Sequence, residues 1–322
     1  MKISIALATY NGAKYLHQQL NSFVEQTRQP DELVVCDDCS TDTTLDILND
    51  FIQMAPFVVR VQINTTNIGH TRNFEQALSL SSGDLIFLSD QDDVWDIKKI
   101  SIISDCFINN SEIDVVINDA YYTDEKLNHS GVTVLQKVLS VGANGNGHIA
   151  GACTAIRKKF RDFILPFLQI NCPQHDVYIH RWANLANIKL VIDKPLQIWR
   201  IHDFNTTLNN EMNQFEIVSP FISYTQTRKI KVDDAYTKKA NEYKEMIKKL
   251  DEKDKYLSYL PIAKDLNAVR RKINNIIDAN LNRTTLVKSG WFMRKIVIFR
   301  MILSGHYQHF KGIRSILKDL LR

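Results

Sequence analysis

Three carboxylates, Asp90, Asp92 and Asp93, lie within four positions and follow an apolar run that begins at Leu85. Carboxylates at positions i and i+2 of a loop can turn toward one another, and their oxygens suit a hard divalent cation, Mg²⁺ or Mn²⁺. Such an ion keeps part of its water and bridges substrate phosphates. The alternative is a solvated acidic turn without a ligand. The position at the end of a predicted buried strand favours the metal site.

The sequence lacks the motifs of several other catalytic classes. It contains no G-x-G-x-x-G after the first strand, no G-x-x-x-x-G-K-[ST] and no G-x-S-x-G, which argues against dinucleotide binding, P-loop hydrolysis and serine hydrolysis. Cys36 and Cys39 form a C-x-x-C without a second pair, so the five cysteines are expected to be reduced thiols. The N-terminal run MKISIALATY is too short and wrongly flanked to be expected to act as a signal peptide, and no apolar run approaches roughly 20 residues. These features predict a cytoplasmic protein.

The elements that position the acidic residues follow a regular order. Strands are predicted at 3–8, 32–36, 58–63, 85–88 and 114–117, and helices at about 13–26, 42–54, 71–81 and 96–109. This alternation predicts an α/β fold with a doubly wound, mostly parallel sheet flanked by helices. Ligands bind beyond the carboxyl ends of the strands in such sheets. The polar segments expected to meet there are 9–12, 37–38, 64–72 and 90–93.

Four of these segments resemble a known family. The runs ALATYNGAKYL, VVCDDCSTDTT, NIGHTRNFEQAL and SGDLIFLSDQDDVW are similar to the inverting nucleotide-sugar glycosyltransferases of family 2, which have the GT-A fold. The later runs GHIAGACTAIRKK, CPQHDVYIHRW and WRIHDFNTT extend the resemblance to about residue 210. The forms SDQDDVW and WRIH look most like the bacterial branch often labelled rhamnosyltransferases, which builds surface polysaccharides.

The resemblance implies a site for a nucleotide-sugar donor. Asp38 would accept a hydrogen bond from N3–H of uracil or thymine, because a carboxylate selects a base that presents a donor. The base pocket and the nucleotide would also involve Thr9, Tyr10, Asn11, Asp37 and Arg72. Asp37 can instead cap the following helix, and Arg72 can be a surface charge of its helix. UDP and dTDP donors present the same edge to Asp38 and are both compatible with the sequence.

The resemblance also implies a metal site and a catalytic base. Asp90 and Asp92 would bracket the ribose and the metal, and His202, at the end of the predicted strand 189–201, would complete the metal ligands or contact the diphosphate. Asp176 would take the proton of the acceptor hydroxyl. An acid in the first turn of a helix also complements the helix dipole, which is the alternative role for Asp176. Further candidates at this site are Asp93, Trp95, His175 and Arg200.

The chain is predicted to have two regions of opposite charge. Residues 1–215 form the predicted catalytic domain, and residues 216–322 form a basic helical region with helices around 232–258 and 262–282. Residues 1–218 contain 17 Lys and Arg against 26 Asp and Glu, whereas residues 219–322 contain 23 against 10. From Trp291 onward, aromatic and aliphatic residues alternate with basic ones, which suits helices on an anionic membrane surface. Packing on the catalytic domain or in a homo-oligomer is the alternative.

The implied reaction moves a sugar from dTDP-rhamnose or a UDP-hexose such as UDP-galactose to a hydroxyl of a glycan or lipid-linked acceptor. The implied cofactor is Mg²⁺ or Mn²⁺, nucleic acid is not an expected partner, and the location is cytoplasmic with peripheral contact at the inner face of the membrane. The Gly- and Asn-rich segment 141–148 is predicted to be a loop that closes over the donor. Two alternatives are a sugar nucleotidyltransferase and a non-catalytic sugar-nucleotide or glycan-binding protein.

Overall fold

The structure, a computed structural model, describes residues 1–140, 145–147, 150–167, 174–202, 235–253, 266–310 and 312–320. The chain divides into two compact units, of which the first comprises Met1–Phe167 and Gln174–Thr225 and the second comprises Leu168–Pro173 and Gln226–Arg322. The predicted domain boundary at residue 215 and most of the predicted loop 141–148 lie outside the described residues.

The first unit begins with four parallel strands that alternate with helices, as predicted. The strands are β1 Ile3–Thr9, β2 Glu32–Asp37, β3 Val58–Ile63 and β4 Leu85–Ser89. The helices are α1 Ala13–Val24, α2 Thr44–Met54, α3 His70–Leu80 and α4 Lys99–Asn109. In α1 the buried side chains Leu16, Leu20 and Phe23 recur at helical spacing and pack on the sheet. Each such aliphatic side chain contributes about 1.5–3 kcal/mol on burial.

The rest of the sheet is mixed rather than parallel. Its strands are β5 Val94–Trp95, β6 Val115–Thr123, β7 His129–Thr133, β8 Thr154–Arg157 and β9 Lys189–Arg200. Within the described residues the order is β3-β2-β1-β4-β8-β6-β9-β5, and β7 pairs with β6. Strand β8 is antiparallel to both β4 and β6, so it separates the parallel half from the later strands. The sequence analysis missed β5, β7 and β8 because two to five residues carry too little periodicity.

Three later helices complete the described part of the first unit: α5 Val134–Ser140, α6 Lys158–Ile164 and α7 His175–Ala186. Helix α7 ends at Asn187, whose φ of 56° is left-handed, a conformation that asparagine tolerates at a helix C-terminus. Thr154 Oγ1 lies 3.0 Å from His180 Nε2 and ties the middle of α7 to β8. These contacts fix where the first turn of α7 lies relative to the sheet.

The second unit is helical, as predicted. It contains α8 Ala235–Glu252, α9 Leu266–Lys288, α10 Trp291–Leu303 and α11 Ile313–Leu320, with a short 3₁₀ turn at His306–His309. A small core is formed by Leu286, Val297, Ile298, Met301 and Tyr307. Among the described helices, none combines the length and the hydropathy needed to cross a bilayer.

Candidate active site

A cavity of about 740 Å³ opens at the carboxyl ends of β1, β2 and β4. This volume lies within the usual range for small-molecule sites. Its wall also includes residues from the start of α3, from segment 150–153, from the first turn of α7 and from the end of β9. The predicted site residues in the wall are Thr9, Tyr10, Asn11, Asp38, Asp90, Asp92, His175, Asp176 and His202. Residues that are far apart in the sequence thus lie around one cavity at the carboxyl ends of the parallel strands.

The loop after β1 is held from both sides. Gln91 Oε1 accepts a hydrogen bond from Tyr10 N at 2.8 Å, and Gln91 Nε2 donates to Tyr10 O at 3.0 Å. Asn11 Oδ1 accepts from Thr41 N at 2.8 Å, and Asn11 N donates to Ser40 Oγ at 2.8 Å. Asn11 has a φ of 47°, which its short polar side chain tolerates. The sequence analysis missed Gln91, whose only signal was its position between the acids.

Asp38 lies inside a cage of donors at the end of β2. Its Oδ1 accepts from Ile68 N at 2.8 Å and from Asn64 Nδ2 at 2.9 Å. Its Oδ2 accepts from Gly69 N at 2.8 Å. A carboxylate oxygen can accept two hydrogen bonds, so Oδ2 can accept one more from a ligand in the cavity. The carboxylate is therefore fixed in direction before any ligand binds.

Asp37 lies outside the cavity wall. Its carboxylate is buried and accepts hydrogen bonds from Thr9 Oγ1 at 2.8 Å, Ser40 N at 2.8 Å and Ser40 Oγ at 2.6 Å. The N-cap residue of α2 is Thr43, so Asp37 does not cap that helix. Asp37 organises the loop before α2 from inside the protein, and its contact with a nucleotide stays a prediction.

Two more of the predicted site residues, Arg72 and Trp95, lie outside the cavity wall, and their contacts with a ligand stay predictions. Arg72 lies on α3 outside the cavity wall, and its Nη1 is paired with Glu75 Oε2 at 2.5 Å one helical turn away. Trp95 is 3% exposed and belongs to the core, where its ring packs on Phe23 and Phe87. The large apolar ring of Trp95 is therefore buried in the core, where it stabilises β5.

The three acids after β4 form one group, here called the acidic cluster (Asp90, Asp92 and Asp93). One carboxylate oxygen from each can be chosen so that all three lie within 4.8 Å of one another. Burial and then the charges of Asp92 and Asp176 raise the pKa of Asp90 to about 7. Burial and the neighbouring acids also raise the pKa of Asp93 well above its ordinary value. Like charges this close and this buried are costly unless a cation joins them.

The acidic cluster fits a divalent cation. Asp93 Oδ1 is buried and has no hydrogen-bond partner among the described residues, while Asp93 Oδ2 accepts from Gln197 Nε2 at 2.9 Å. An orphaned carboxylate oxygen is the donor atom that Mg²⁺ and Mn²⁺ prefer. Asp93 is not part of the cavity wall and lies behind Asp90 and Asp92.

His202 meets the acidic cluster from β9. Its Nε2 lies 2.9 Å from Asp92 Oδ2, and its ring packs on Tyr15 with centroids 4.8 Å apart. Arg200 is buried and donates from Nε to Asp92 O at 2.9 Å, and its guanidinium lies over the Tyr15 ring. Arg200 thus supports the loop that carries Asp92 and does not line the cavity. Asp92 and His202 thus form a hydrogen-bonded pair in the cavity wall.

A buried lysine that the sequence analysis missed lies behind the acidic cluster. Lys99 is 0% exposed, and its Nζ donates to Ala152 O at 2.8 Å and to Gln197 Oε1. The ammonium group also lies 3.8 Å from the centroid of the Trp95 ring. Burial lowers the pKa of Lys99 to about 7, although nearby acids favour its charged form. Gln197 therefore links this internal cation to Asp93.

Asp176 lies in the first turn of α7, where the motif placed it. Its Oδ1 accepts from Val177 N at 2.6 Å, and burial raises its pKa. The preceding His175 is 6% exposed and stacks on Phe74 with ring centroids 4.0 Å apart. Burial lowers the pKa of His175 to about 3, so this imidazole is neutral at physiological pH. Asp176, Asp90 and Asp92 thus face one cavity, and the neutral ring of His175, stacked on Phe74, lies beside Asp176.

Gly151 is required by this arrangement. A Cβ atom at Gly151 would lie 2.5 Å from His175 Nε2 and 3.6 Å from Asp176 Cβ. The first of these distances is far below any ordinary contact, so a side chain at residue 151 would displace the start of α7. The sequence analysis quoted Gly151 within GHIAGACTAIRKK and assigned it no role.

Solved structures share this architecture. Crystal structures of residues 1–349 of TarS from Staphylococcus aureus, in complex with UDP and with UDP-GlcNAc, superpose with TM-scores of 0.54 and 0.52 at 20% and 19% identity. The first comparison covers 87% of this chain and 91% of that chain. The fold is therefore the predicted GT-A glycosyltransferase fold.

Sequence comparisons assign the family. A family profile described as Glycosyl transferase family 2 matches residues 4–163. The dTDP-rhamnosyl transferase RfbG of Shigella flexneri is 30% identical over 214 residues, which cover 62% of this chain and 72% of that protein. The poly(ribitol-phosphate) beta-N-acetylglucosaminyltransferase TarS is 32% identical over 120 residues, 36% of this chain and 20% of that protein. The chain belongs to glycosyl transferase family 2 and is an enzyme of the transferase class.

Proposed function

We propose that this enzyme transfers a sugar, with inversion, from dTDP-rhamnose or a UDP-hexose such as UDP-galactose to a hydroxyl of a glycan or lipid-linked acceptor. One observation carries the proposal: a partly buried carboxylate of raised pKa, Asp176, faces the same cavity as Asp90, Asp92 and Asp38. The similarity to RfbG, a dTDP-rhamnosyl transferase, supports a dTDP-rhamnose donor, and the TarS complexes with UDP and UDP-GlcNAc support a uridine donor in the same fold.

Asp38 would select the base of the donor. Its remaining acceptor position on Oδ2 suits N3–H of uracil or thymine, because a carboxylate can only accept. The three donors that cage Asp38 keep this acceptor aimed at the cavity and oppose its rotation. Adenine and cytosine present no equivalent donor from a ring nitrogen in their neutral forms, so this contact favours UDP and dTDP donors over ADP and CDP donors.

The metal would be Mg²⁺ or Mn²⁺, held by Asp92 with His202 and with Asp90 beside it. When bound, such an ion neutralises the diphosphate and stabilises it as a leaving group. Asp93 and Lys99 would balance charge behind these residues, and Arg200 would hold the loop of Asp92 in place. The protein groups are thus arranged before a donor arrives, which lowers the reorganisation needed during transfer.

Asp176 would act as the general base. A base must be ionised to take a proton from the acceptor hydroxyl, so a raised pKa brings its strength closer to the working pH. Transfer should therefore fall as the pH decreases through the raised pKa of Asp176, since the protonated carboxyl cannot accept. The neutral His175 adds no competing charge beside it.

The acceptor is proposed to belong to a surface polysaccharide, because RfbG is a dTDP-rhamnosyl transferase and TarS is a poly(ribitol-phosphate) glycosyltransferase. A lipid-linked form of that acceptor would place the enzyme in the cytoplasm at the inner face of the membrane.

The test uses Asp176→Asn, with Asp46→Asn as its control. Asp46 is the acid in the first turn of α2, so it has the same relation to a helix dipole without lying at the cavity. Transfer of labelled sugar from dTDP-rhamnose and UDP-galactose to glycolipids from the source cells is measured in single turnovers, together with donor binding. Asp176→Asn should lower transfer roughly 10²–10⁴-fold and change donor affinity little.

A structural role for Asp176 would give a different pattern. Both variants would then lose about 0.3–1 kcal/mol of stability and transfer at nearly normal rates. Near-normal transfer by Asp176→Asn would therefore contradict its assignment as the base.

A further inference from the structure

The second unit exposes an apolar surface on α10. The inner side of this helix packs Val297, Ile298 and Met301 into the small core. The opposite side carries a stripe of large apolar side chains at helical spacing, with relative exposures of 70%, 47%, 63% and 72%. This exposed stripe consists of Phe292, Ile296, Phe299 and Leu303. Helix α10 is therefore apolar on two opposite sides. Packing within the second unit buries only the inner side.

Helix α11 adds a second line of exposed apolar residues. Ile313, Leu317 and Leu320 recur at positions i, i+4 and i+7, with exposures of 74%, 54% and 41%. Its opposite side is held by Asp319, which is 1% exposed and accepts hydrogen bonds from Tyr307 and Arg283. Contiguous exposed apolar residues of this size mark an interaction surface rather than ordinary surface variation.

Basic residues border the exposed stripe on both sides. With 100° of rotation per residue, Lys295 lies at one edge of the stripe and Arg300 at the other. From Trp291 to the end, the sequence has seven Lys and Arg and a single acid, Asp319, which is buried and ion-paired. The surface therefore offers apolar and cationic groups and no exposed carboxylate within this segment.

We propose that the exposed stripe of α10, together with Ile313 and Leu317 of α11, docks on the anionic surface of a lipid bilayer. An amphipathic helix with bulky apolar side chains and flanking Lys and Arg lies in the interface, with its apolar side among the acyl chains and its cations at the headgroups. A second copy of this chain fits less well, because an isologous contact would place basic edges together without acidic partners.

This inference rests on the proposed peripheral location and names the surface that produces it. Its test measures vesicle binding without any sugar transfer, so failure of the docking surface and failure of the proposed reaction give separate results. The apolar and basic contributions are measured independently, through two sets of variants on the full-length chain.

The experiment measures flotation of the full-length protein with vesicles of phosphatidylcholine alone or of phosphatidylcholine with phosphatidylglycerol. The wild-type protein should float with the anionic vesicles only. The double variant Phe292→Gln/Phe299→Gln should lose about tenfold or more in binding. The matched control is Met54→Gln/Ile108→Gln, at residues that are 73% and 62% exposed on the first unit, and it should bind like the wild type.

A second variant set changes charge alone. Lys295→Gln/Arg300→Gln should also weaken binding about tenfold, and the wild-type affinity should fall with added salt because headgroup attraction is screened. Thermal unfolding by circular dichroism verifies that each variant is folded. Equal flotation of wild type and both double variants would overturn the proposal. So would a concentration-dependent dimer that Phe292→Gln/Phe299→Gln abolishes in a protein that binds no vesicles.

Discussion

Two residues of the acidic cluster have pKa values that are shifted by burial and by neighbouring charges. Asp90 and Asp93 have raised pKa values because burial and their neighbours oppose ionisation. Lys99 supplies the internal countercharge through Gln197, and its own pKa is lowered to about 7 by burial. The pKa values of the two acids are raised and the pKa of Lys99 is lowered, so burial opposes the charged form of each group. A divalent cation, as proposed above, would supply positive charge to these acids.

Replacement of Lys99 should destabilise the metal-free protein. Lys99→Met keeps the length and apolar contacts of the side chain but leaves Asp93 and Asp90 without their internal cation. The metal-free protein should lose about 1–3 kcal/mol of stability, because the substitution removes the hydrogen-bond donor of Ala152 O and Gln197 Oε1. Mn²⁺ should restore part of this loss, since it supplies positive charge to the same acids. Chemical denaturation with and without Mn²⁺ measures both effects.

The neighbouring residue provides the control for this change. Lys98 is exposed at the start of α4, so Lys98→Met should change the free energy of unfolding by less than about 0.5 kcal/mol. Equal effects of the two substitutions would show that Lys99 acts only through general packing of α4.

Among the elements, α7 is positioned by contacts along its whole length. His180 binds Thr154 of β8, Asn187 ends the helix in a left-handed conformation, and His175 stacks on Phe74 of α3. These contacts place Asp176 at the cavity with its helix N-terminus directed there. The absence of a side chain at Gly151 allows the close approach of His175.

Gly151→Ala should therefore shift the first turn of α7. The added Cβ would meet His175 Nε2 at 2.5 Å, and the imidazole would have to move with Asp176. We expect kcat to fall by about 10²-fold while the KM for the donor changes little, because small displacements of a catalytic group are costly and the base contacts lie on other loops. Gly290→Ala is the control, because nothing lies within 4 Å of its added Cβ. Unchanged kcat in Gly151→Ala would show that α7 tolerates the displacement.

The whole molecule combines an acidic catalytic unit with a basic helical unit. The first contains the cavity, and the second contains the exposed stripe. Because a ligand that binds only the folded state stabilises it, donor recognition can be measured on the intact protein without knowledge of the acceptor.

A panel of nucleotide diphosphates should separate base recognition from metal binding. UDP and dTDP with Mn²⁺ should raise the unfolding free energy by about 2.7 kcal/mol at 100 times their Kd, whereas ADP and CDP should give much smaller shifts.

Asp92→Asn should abolish the dependence of UDP binding on Mn²⁺ and retain the fold. Asp105→Asn, an exposed acid on α4, is the control. Metal-dependent binding that survives in Asp92→Asn would show that Asp92 is not a ligand.

The sequence determined those features that depend on local pattern. Apolar periodicity predicted the first four strands and helices within a few residues, and the position of Asp90, Asp92 and Asp176 in their motifs predicted that they meet beyond the strand ends. Tertiary structure decided the rest. Whether Asp37 and Arg72 face a ligand depends on which neighbours take up their hydrogen bonds, Ser40 and Glu75. The insertion of β8 between β4 and β6, the burial of Lys99 and the space at Gly151 arise from contacts between residues 24 or more positions apart, about which local sequence carries no information.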